Sequence, residues 1–526
     1  MMRLLHVSFL ISICLLSGCD SKSQKADFVF LNGAEPESLD PAVITGQLEG
    51  RLVSSLFEGL TARDPTGSIV PGVAERWEIS LDGRQYLFHL RSDARWSNGD
   101  PVTAYDFADS WKRTLLPQTA AEYAYQLYYI ENAEAFNAGK LPDFNQVGVH
   151  ALDDQRLEVR LTNPTPFFLD LCAFPTLMPV HMKTIQKYGE DEWIKPGHIV
   201  SNGPYTLEQW RINQRVRLLA NPFYWDRANV GLNRIDALPT DNANTAFNLY
   251  SSGAADLTLD KNLIPAMLLD ALRGRPDFHS SPFLGTYFYR FNVTRPPLNN
   301  PLVRQAIALA IDKKRIVEKV TRAGEPVADH FVPPGIHNYE SPACLGHNPD
   351  EARELLRKAG YPGGKGFPTI SLLYADQSIA KGVATEVQDM LHKELGITVQ
   401  LAQQEWKVYL NSMSQLDYDI AASSWLGDYN DPNTFLDMFV TGGGNNRTGW
   451  SNARYDGLIQ QAAKEVDVEK RKIILQEAEG LLCRDEAPIA PVYFYVGVQF
   501  YDPQKITGLV QNVLDEHPLK YIRKQN

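Results

Sequence analysis

Apolar residues along this chain recur at two spacings, every second position and every third or fourth, and the two kinds of stretch alternate from end to end. Phe28-Val29-Phe30-Leu31 predicts a strand, followed by a turn-rich loop from Asn32 to Pro41. Residues 48–57 put Leu52, Leu56 and Phe57 on one helical face. Trp77 to Ser80 and Tyr86 to Arg91 alternate on either side of Asp82-Gly83, which predicts a hairpin. Thr103 is the expected N-cap of a helix carrying Phe107 and Trp111. Tyr123, Tyr125, Tyr128 and Tyr129 crowd the segment after it, as core or as the wet aromatic wall of a cleft. Two short strands are expected within 145–162, a Pro-punctuated connection from Pro164 to Pro179, a strand from Tyr205 to Trp210 and a helix from Thr245 to Tyr250.

The second half opens with a strand from Thr286 to Asn292. Asn300-Pro301 caps a helix with Val303, Ala306, Ile307 and Ala310 on its buried face. Pro349 to Ala359 is a further amphipathic helix, and Gly360 to Gly366 is its cap and loop rather than a phosphate cradle. Strand 369–374, helix 380–394 and strand 397–404 make a β-α-β unit with parallel neighbours. Gly442 to Asn446 reads as a mobile loop, Tyr455 to Leu482 as two helices and Ile489 to Val496 as a last apolar strand. The alternation of strands and helices throughout predicts an α/β fold.

Between these elements, Tyr418 to Ser423 alternates as an inward-running strand and delivers Ser424-Trp425-Leu426-Gly427-Asp428. A carboxylate among aromatic residues is costly to bury unless a cation meets it. That cation can be a Lys or Arg of the chain, or the ammonium group of a ligand. Local sequence alone favours a plainer reading, in which Asp428 and Asn430 are turn residues and Asp431-Pro432-Asn433-Thr434 opens a helix.

The first residues change the picture more than the composition does. Arg3 precedes an apolar run from Leu4 to Leu16, and Leu16-Ser17-Gly18-Cys19 ends it. The run is short for a membrane span and reads as a signal peptide over 1–18. Small residues before a cysteine form a lipobox, so cleavage before Cys19 and lipidation of its thiol are expected, with 19–27 as a tether. Asp20 resembles the signal that retains enterobacterial lipoproteins at the inner membrane. Loss of 1–18 leaves 50 basic against 63 acidic side chains, a net charge of −13. This charge gives no electrostatic footprint for nucleic acid. About 508 residues suggest roughly three domains. Cys172, Cys344 and Cys483 are an odd set, so at least one thiol stays free. No paired-cysteine or paired-histidine spacing suggests a zinc site, and no nucleophile elbow or catalytic constellation is present. No metal, cofactor or enzymatic activity is expected.

Several stretches resemble a known family. They are Glu35 to Pro41, Leu56-Phe57-Glu58-Gly59-Leu60, Pro71 to Trp77, Phe88 to Trp111, Asn202-Gly203-Pro204-Tyr205, residues 286–320, Gln404-Glu405-Trp406, Asp428-Tyr429-Asn430, the Gly442 to Trp450 loop and residues 489–496. In this order they resemble the family 5 extracytoplasmic solute-binding proteins of ABC importers, and the oligopeptide-binding proteins above all. The resemblance implies a two-lobed periplasmic-binding-protein fold with an extra inserted domain and two hinge crossings. Lobe I would comprise 20–57, 182–284 and 497–526, the inserted domain 58–181, and lobe III 285–496. It implies that Asp428 holds a peptide ammonium and that Trp425 and Trp406 wall side-chain pockets. Ser424, Leu426 and Tyr123 would contact the peptide backbone, and Gln47 is a further candidate. The partners implied are a peptide held as an added strand and the permease subunits of an importer. A monomer is expected, in the periplasm and bound to a membrane only through its lipid.

The departures from the family pattern are informative. Oligopeptide-binding relatives carry arginines at the positions of Met413 and Ala422, and no Lys or Arg lies between Lys407 and Arg447 here. The end of the cleft that would meet the peptide carboxylate therefore lacks its expected cations, and Lys381 is a possible substitute. Arg290 replaces an acid, and Gly285 and Leu426 stand where some relatives place a disulfide. Other functions remain open: a sensor or co-receptor lipoprotein for cell-wall peptides, or a binder of another small solute such as a metal chelate or haem.

Overall fold

The computed structural model describes residues 25–336, 339–376 and 378–525. The signal segment, Cys19 and most of the tether lie outside the described residues. No helix among the described residues is long and apolar enough to cross a membrane.

Ten strands form one continuous sheet. In chain order they are β1 (Phe28–Gly33), β2 (Tyr205–Arg211), β3 (Arg215–Ala220), β4 (Arg234–Pro239), β5 (Leu257–Thr258), β6 (Phe278–Phe291), β7 (Ile370–Ala375), β8 (Val399–Gln404), β9 (Ile420–Leu426) and β10 (Ile489–Phe500). Across the sheet the order is β8-β7-β9-β6-β10-β5-β1-β4-β3-β2. The two longest members, β6 and β10, pair antiparallel at its centre and tie the two halves together. The register of this pair shifts between Pro282 and Thr286, a local irregularity.

The β7–helix–β8 unit is parallel as expected, with helix Ser378–Leu395 as the crossover. The Trp77/Tyr86 hairpin belongs to a separate four-stranded antiparallel sheet built only from residues 74–160. Thr103 caps helix Ala104–Leu115 reciprocally with Asp106. Asn300 accepts a hydrogen bond from Leu302 N at the start of helix Pro301–Ala310.

Three differences from the sequence reading bear on the site. The strand read as ending at Ser423 runs on to Leu426, because Ser424 to Leu426 pair with Tyr287 to Gly285 of β6. The strand read as starting at Thr286 begins at Phe278, since its first half pairs with the end of β10. The Gly442 to Asn446 loop is pinned rather than loose: Asn446 Nδ2 donates to the carbonyls of Phe439, Val440 and Trp450 at 2.8–3.1 Å.

Candidate functional site

β9 is paired along its full length on one side, from Ile420 to Leu426 against β6. On its other side β7 pairs only with Ile420 and Ala421. Beyond Ala421 no described strand covers that edge. Ser424 and Leu426 are exposed there, and Trp425 is half-buried with its indole N–H enclosed and unpartnered. An uncovered edge in the interior of a large sheet offers main-chain groups to an added strand.

Asp428 lies two residues past the end of this strand. Its backbone N–H donates to Thr434 Oγ1 at 3.2 Å, which fixes the turn. Tyr125 Oη donates to its Oδ2 at 3.3 Å, and Gln126 Nε2 lies beside the same carboxylate without reaching hydrogen-bond geometry. Some of Asp428 is open to solvent, yet the surrounding protein is dense enough that burial pushes its carboxyl up to about 6. No Lys, Arg or His among the described residues pairs with it. Asp431, three residues on, forms a bidentate pair with Arg471 at 2.7 and 2.8 Å and accepts from Asn433 N at 2.9 Å. Of two neighbouring acids, one is neutralised within the protein and one is left for something else.

An aromatic cluster faces Asp428 from residues 122–174. The Tyr123 ring lies 5.5 Å from Tyr125 and 5.3 Å from Phe174. Phe167 stacks on Tyr429 at 4.1 Å, and the Tyr129 and Tyr429 hydroxyls are 3.2 Å apart. Burial pushes the Tyr123 phenol up to about 12, and the Asp428 charge adds to the shift. Asp437, enclosed behind this cluster, is pushed up to about 7 by burial and then by Asp428 and Asp431.

On the other flank, Trp406 opens helix Trp406–Ser414, is 52% exposed and stacks on Tyr409 at 5.4 Å. Tyr409 Oη donates to Ala422 O at 2.6 Å, and Met413 is buried behind it. Gln47 is exposed at the first residue of helix Gln47–Leu56, and Lys381 is exposed on helix Ser378–Leu395. Neither pairs with another candidate among the described residues. A depression of about 770 Å³ lined by Asp40, Lys112, Arg113 and Glu190 lies elsewhere. Its Arg113 is already matched by Asp40 and Glu190.

The model of bacterial extracellular solute-binding proteins, family 5, matches residues 68–447. This chain belongs to that family. It is 38% identical to the periplasmic oligopeptide-binding protein OppA of Escherichia coli over 91% of this chain and 89% of the relative. Among solved structures it is similar to the murein tripeptide-binding protein MppA of Escherichia coli, with TM-score 0.79, 33% identity and coverage of 95% and 99%. It is also similar to Haemophilus influenzae OppA in complex with the peptide RPPGFSPFR, with TM-score 0.77, 32% identity and coverage of 95% and 100%. The family 5 relatives are two-lobed α/β binding proteins.

In this family 5 protein, Asp428, Trp425, Ser424 and Leu426 come from one strand end, while Tyr123 reaches the same place from a segment about 300 residues earlier. Tyr125, one of four tyrosines noted as a crowd, is the one that touches Asp428. Its segment forms a 3-10 helix (Glu122–Leu127), whose tighter winding no 3.6-residue pattern reveals. Gly285 and Leu426 are direct cross-strand partners. Cys344 and Cys483 form a disulfide, and among the described residues Cys172 is a buried free thiol.

Proposed function

We propose that this chain binds peptides in a cleft that closes between two lobes, and delivers them to an ABC importer. One observation carries the reading: Asp428, at the end of an uncovered strand edge, is enclosed by aromatic residues and has no cation of its own among the described residues. A peptide supplies both missing parts, an ammonium group for the carboxylate and a backbone for the edge. Trp425 and Trp406 wall side-chain pockets, Ser424, Leu426 and Tyr123 meet the peptide backbone, and Gln47 and Lys381 are outlying candidates. The named relatives include an oligopeptide-binding protein and a complex with a nonapeptide, which supports the ligand class.

The division into lobe I (20–57, 182–284, 497–526), an inserted domain (58–181) and lobe III (285–496) accords with the two long strands that cross near Gly285 and Gly497. The register shift at Pro282 to Thr286 suits a hinge there. Residues 1–18 act as a signal peptide, and a lipid on Cys19 holds a monomeric binding protein to the periplasmic side of a membrane, the inner one if Asp20 is read as in enterobacteria. It performs no catalysis. Native mass spectrometry of the protein as purified tests the ligand class: retained peptide masses support it, and a retained non-peptide solute overturns it.

A further inference from the structure

We propose that Arg290 and Arg447 form a second, cationic seat in this cleft that takes a carboxylate of the bound peptide, from its C-terminus or from an acidic side chain. The inference rests on the peptide-binding reading above and adds the class of peptide. Six arginines of the described residues are buried: Arg63, Arg113, Arg217, Arg290, Arg304 and Arg471. Five of them face an acid, namely Asp170, Asp40, Asp236, Glu486 and Asp431 in that order. Arg290, 4% exposed, is the exception. Its Nε donates to Ser423 Oγ at 3.0 Å and one terminal nitrogen to Asn445 O at 2.9 Å, both neutral acceptors.

A charge of the same sign acts on it: the Asn445 carbonyl that Arg290 meets also accepts from the backbone N–H of Arg447. Burial pushes the Arg290 guanidinium down to about 10, and Arg447 acts in the same direction. Arg447 has its Nε enclosed with no hydrogen-bond partner. Neither arginine forms an ion pair with a described residue. The Phe288 and Phe439 rings, 5.1 and 5.3 Å from the Arg290 guanidinium, compensate a buried cation less well than an anion would. Two like charges brought together without a counter-ion are a ready anion site.

Its place in the sheet ties it to the peptide cleft. Arg290 is in register with Ala421 of β9, and its guanidinium meets Ser423 on the face that Trp425 also occupies two residues on. Tyr409, which carries the stacked Trp406 ring, is among the groups that act on it. Ser423 and Asp428 are five residues apart, about 16 Å at strand spacing. That is the reach of roughly four or five extended residues. A peptide anchored by its ammonium at Asp428 and laid along the open edge brings a carboxylate to the arginines. The missing basic residues between Lys407 and Arg447 are thus replaced from another strand and from the far side of the loop.

The test uses the unaltered protein, freed of retained ligand, and calorimetry with pentapeptides of uncharged side chains. The arms are the free acid, the C-terminal amide, and the amide with one Glu placed in turn at the third, fourth and fifth positions. The expected result is an amide at least tenfold weaker than the free acid, with one Glu position restoring the affinity if a side chain can serve. Arg290→Gln, with Arg447→Gln as the second variant, lowers the free-acid affinity to that of the amide. Equal affinity for free acid, amide and Glu-containing amides overturns the anion seat and leaves peptide binding standing. Binding of no peptide in the series overturns the peptide-binding reading itself and the seat with it.

Discussion

Tyr125 Oη donates to Asp428 Oδ2 at 3.3 Å, joining two residues 303 positions apart in the chain. Through this bond, the Tyr129–Tyr429 contact and the Phe167–Tyr429 stack, the 122–174 region meets the end of β9. A neutral phenol is a weak partner for an enclosed carboxylate compared with an ammonium ion. A ligand ammonium at Asp428 would therefore be coupled to the contact between the two regions.

Asp428 and Asp431 should respond in opposite ways to removal. Asp431→Ala leaves Arg471 enclosed without its bidentate partner, and should cost about 3–5 kcal/mol of stability. Asp428→Ala removes a carboxylate that no cation compensates, so thermal stability should hold or rise slightly while peptide affinity falls. Denaturant unfolding of both variants decides this. Marked destabilisation by Asp428→Ala would show that the protein, and not a ligand, depends on that charge.

The raised carboxyl of Asp428 gives peptide binding a pH dependence of known sign. An ammonium pairs with the ionised form, so its contribution is complete above the unliganded value of about 6 and is lost as pH falls through it. Affinity for a peptide with a free N-terminus should be greatest near pH 7, decline above about 8 as the peptide's own amine loses its proton, and fall by up to about tenfold per unit below 6. Asp437, at about 7 and next in the same cluster, broadens the transition because the two acids interact. Calorimetry across this range is the check, and an N-acetylated peptide showing the same decline would assign it to another group.

The Cys344–Cys483 bridge closes a separation of 139 residues within one hydrophobic cluster. Chain-entropy arguments give a bridge of that span roughly 4–5 kcal/mol at most. Reduction should lower the melting temperature and leave peptide affinity at 25 °C largely intact, because neither cysteine is among the candidate ligand contacts. A loss of affinity parallel to the loss of stability would contradict this.

Gly285 and Leu426 face each other across β6 and β9. A Cβ at Gly285 would come within 2.5 Å of Leu426 Cδ2 and 3.0 Å of Tyr495 Cδ2, so those side chains must shift to admit one. Gly285→Cys alone should destabilise the protein by about 1–3 kcal/mol. The double variant with Leu426→Cys should close into a disulfide, which reads as two fewer alkylatable thiols by mass. Two freely alkylated thiols in the folded double variant would mean the register is different.

Most elements and their order were legible, because the strands alternate and the helices carry caps such as Thr103 and Asn300. Asp428 is legible as a candidate, and the plainer reading applies to Asp431, which opens the next helix and whose carboxylate also meets Arg471. What local pattern could not supply was pairing across long separations. Nothing near Tyr125 announces Asp428, and nothing near Arg290 announces Arg447. The same limit hid the cationic pair, since a count of basic residues between Lys407 and Arg447 looks along the chain and not across the sheet.

Asp428 is proposed to hold a peptide's ammonium group. Titration calorimetry of one peptide, with its N-terminus free or acetylated, against the unaltered protein and Asp428→Asn, tests it most directly. Acetylation should cost about 2–4 kcal/mol of binding to the unaltered protein and much less to the variant. Equal affinity of the two peptides for the unaltered protein would contradict the account.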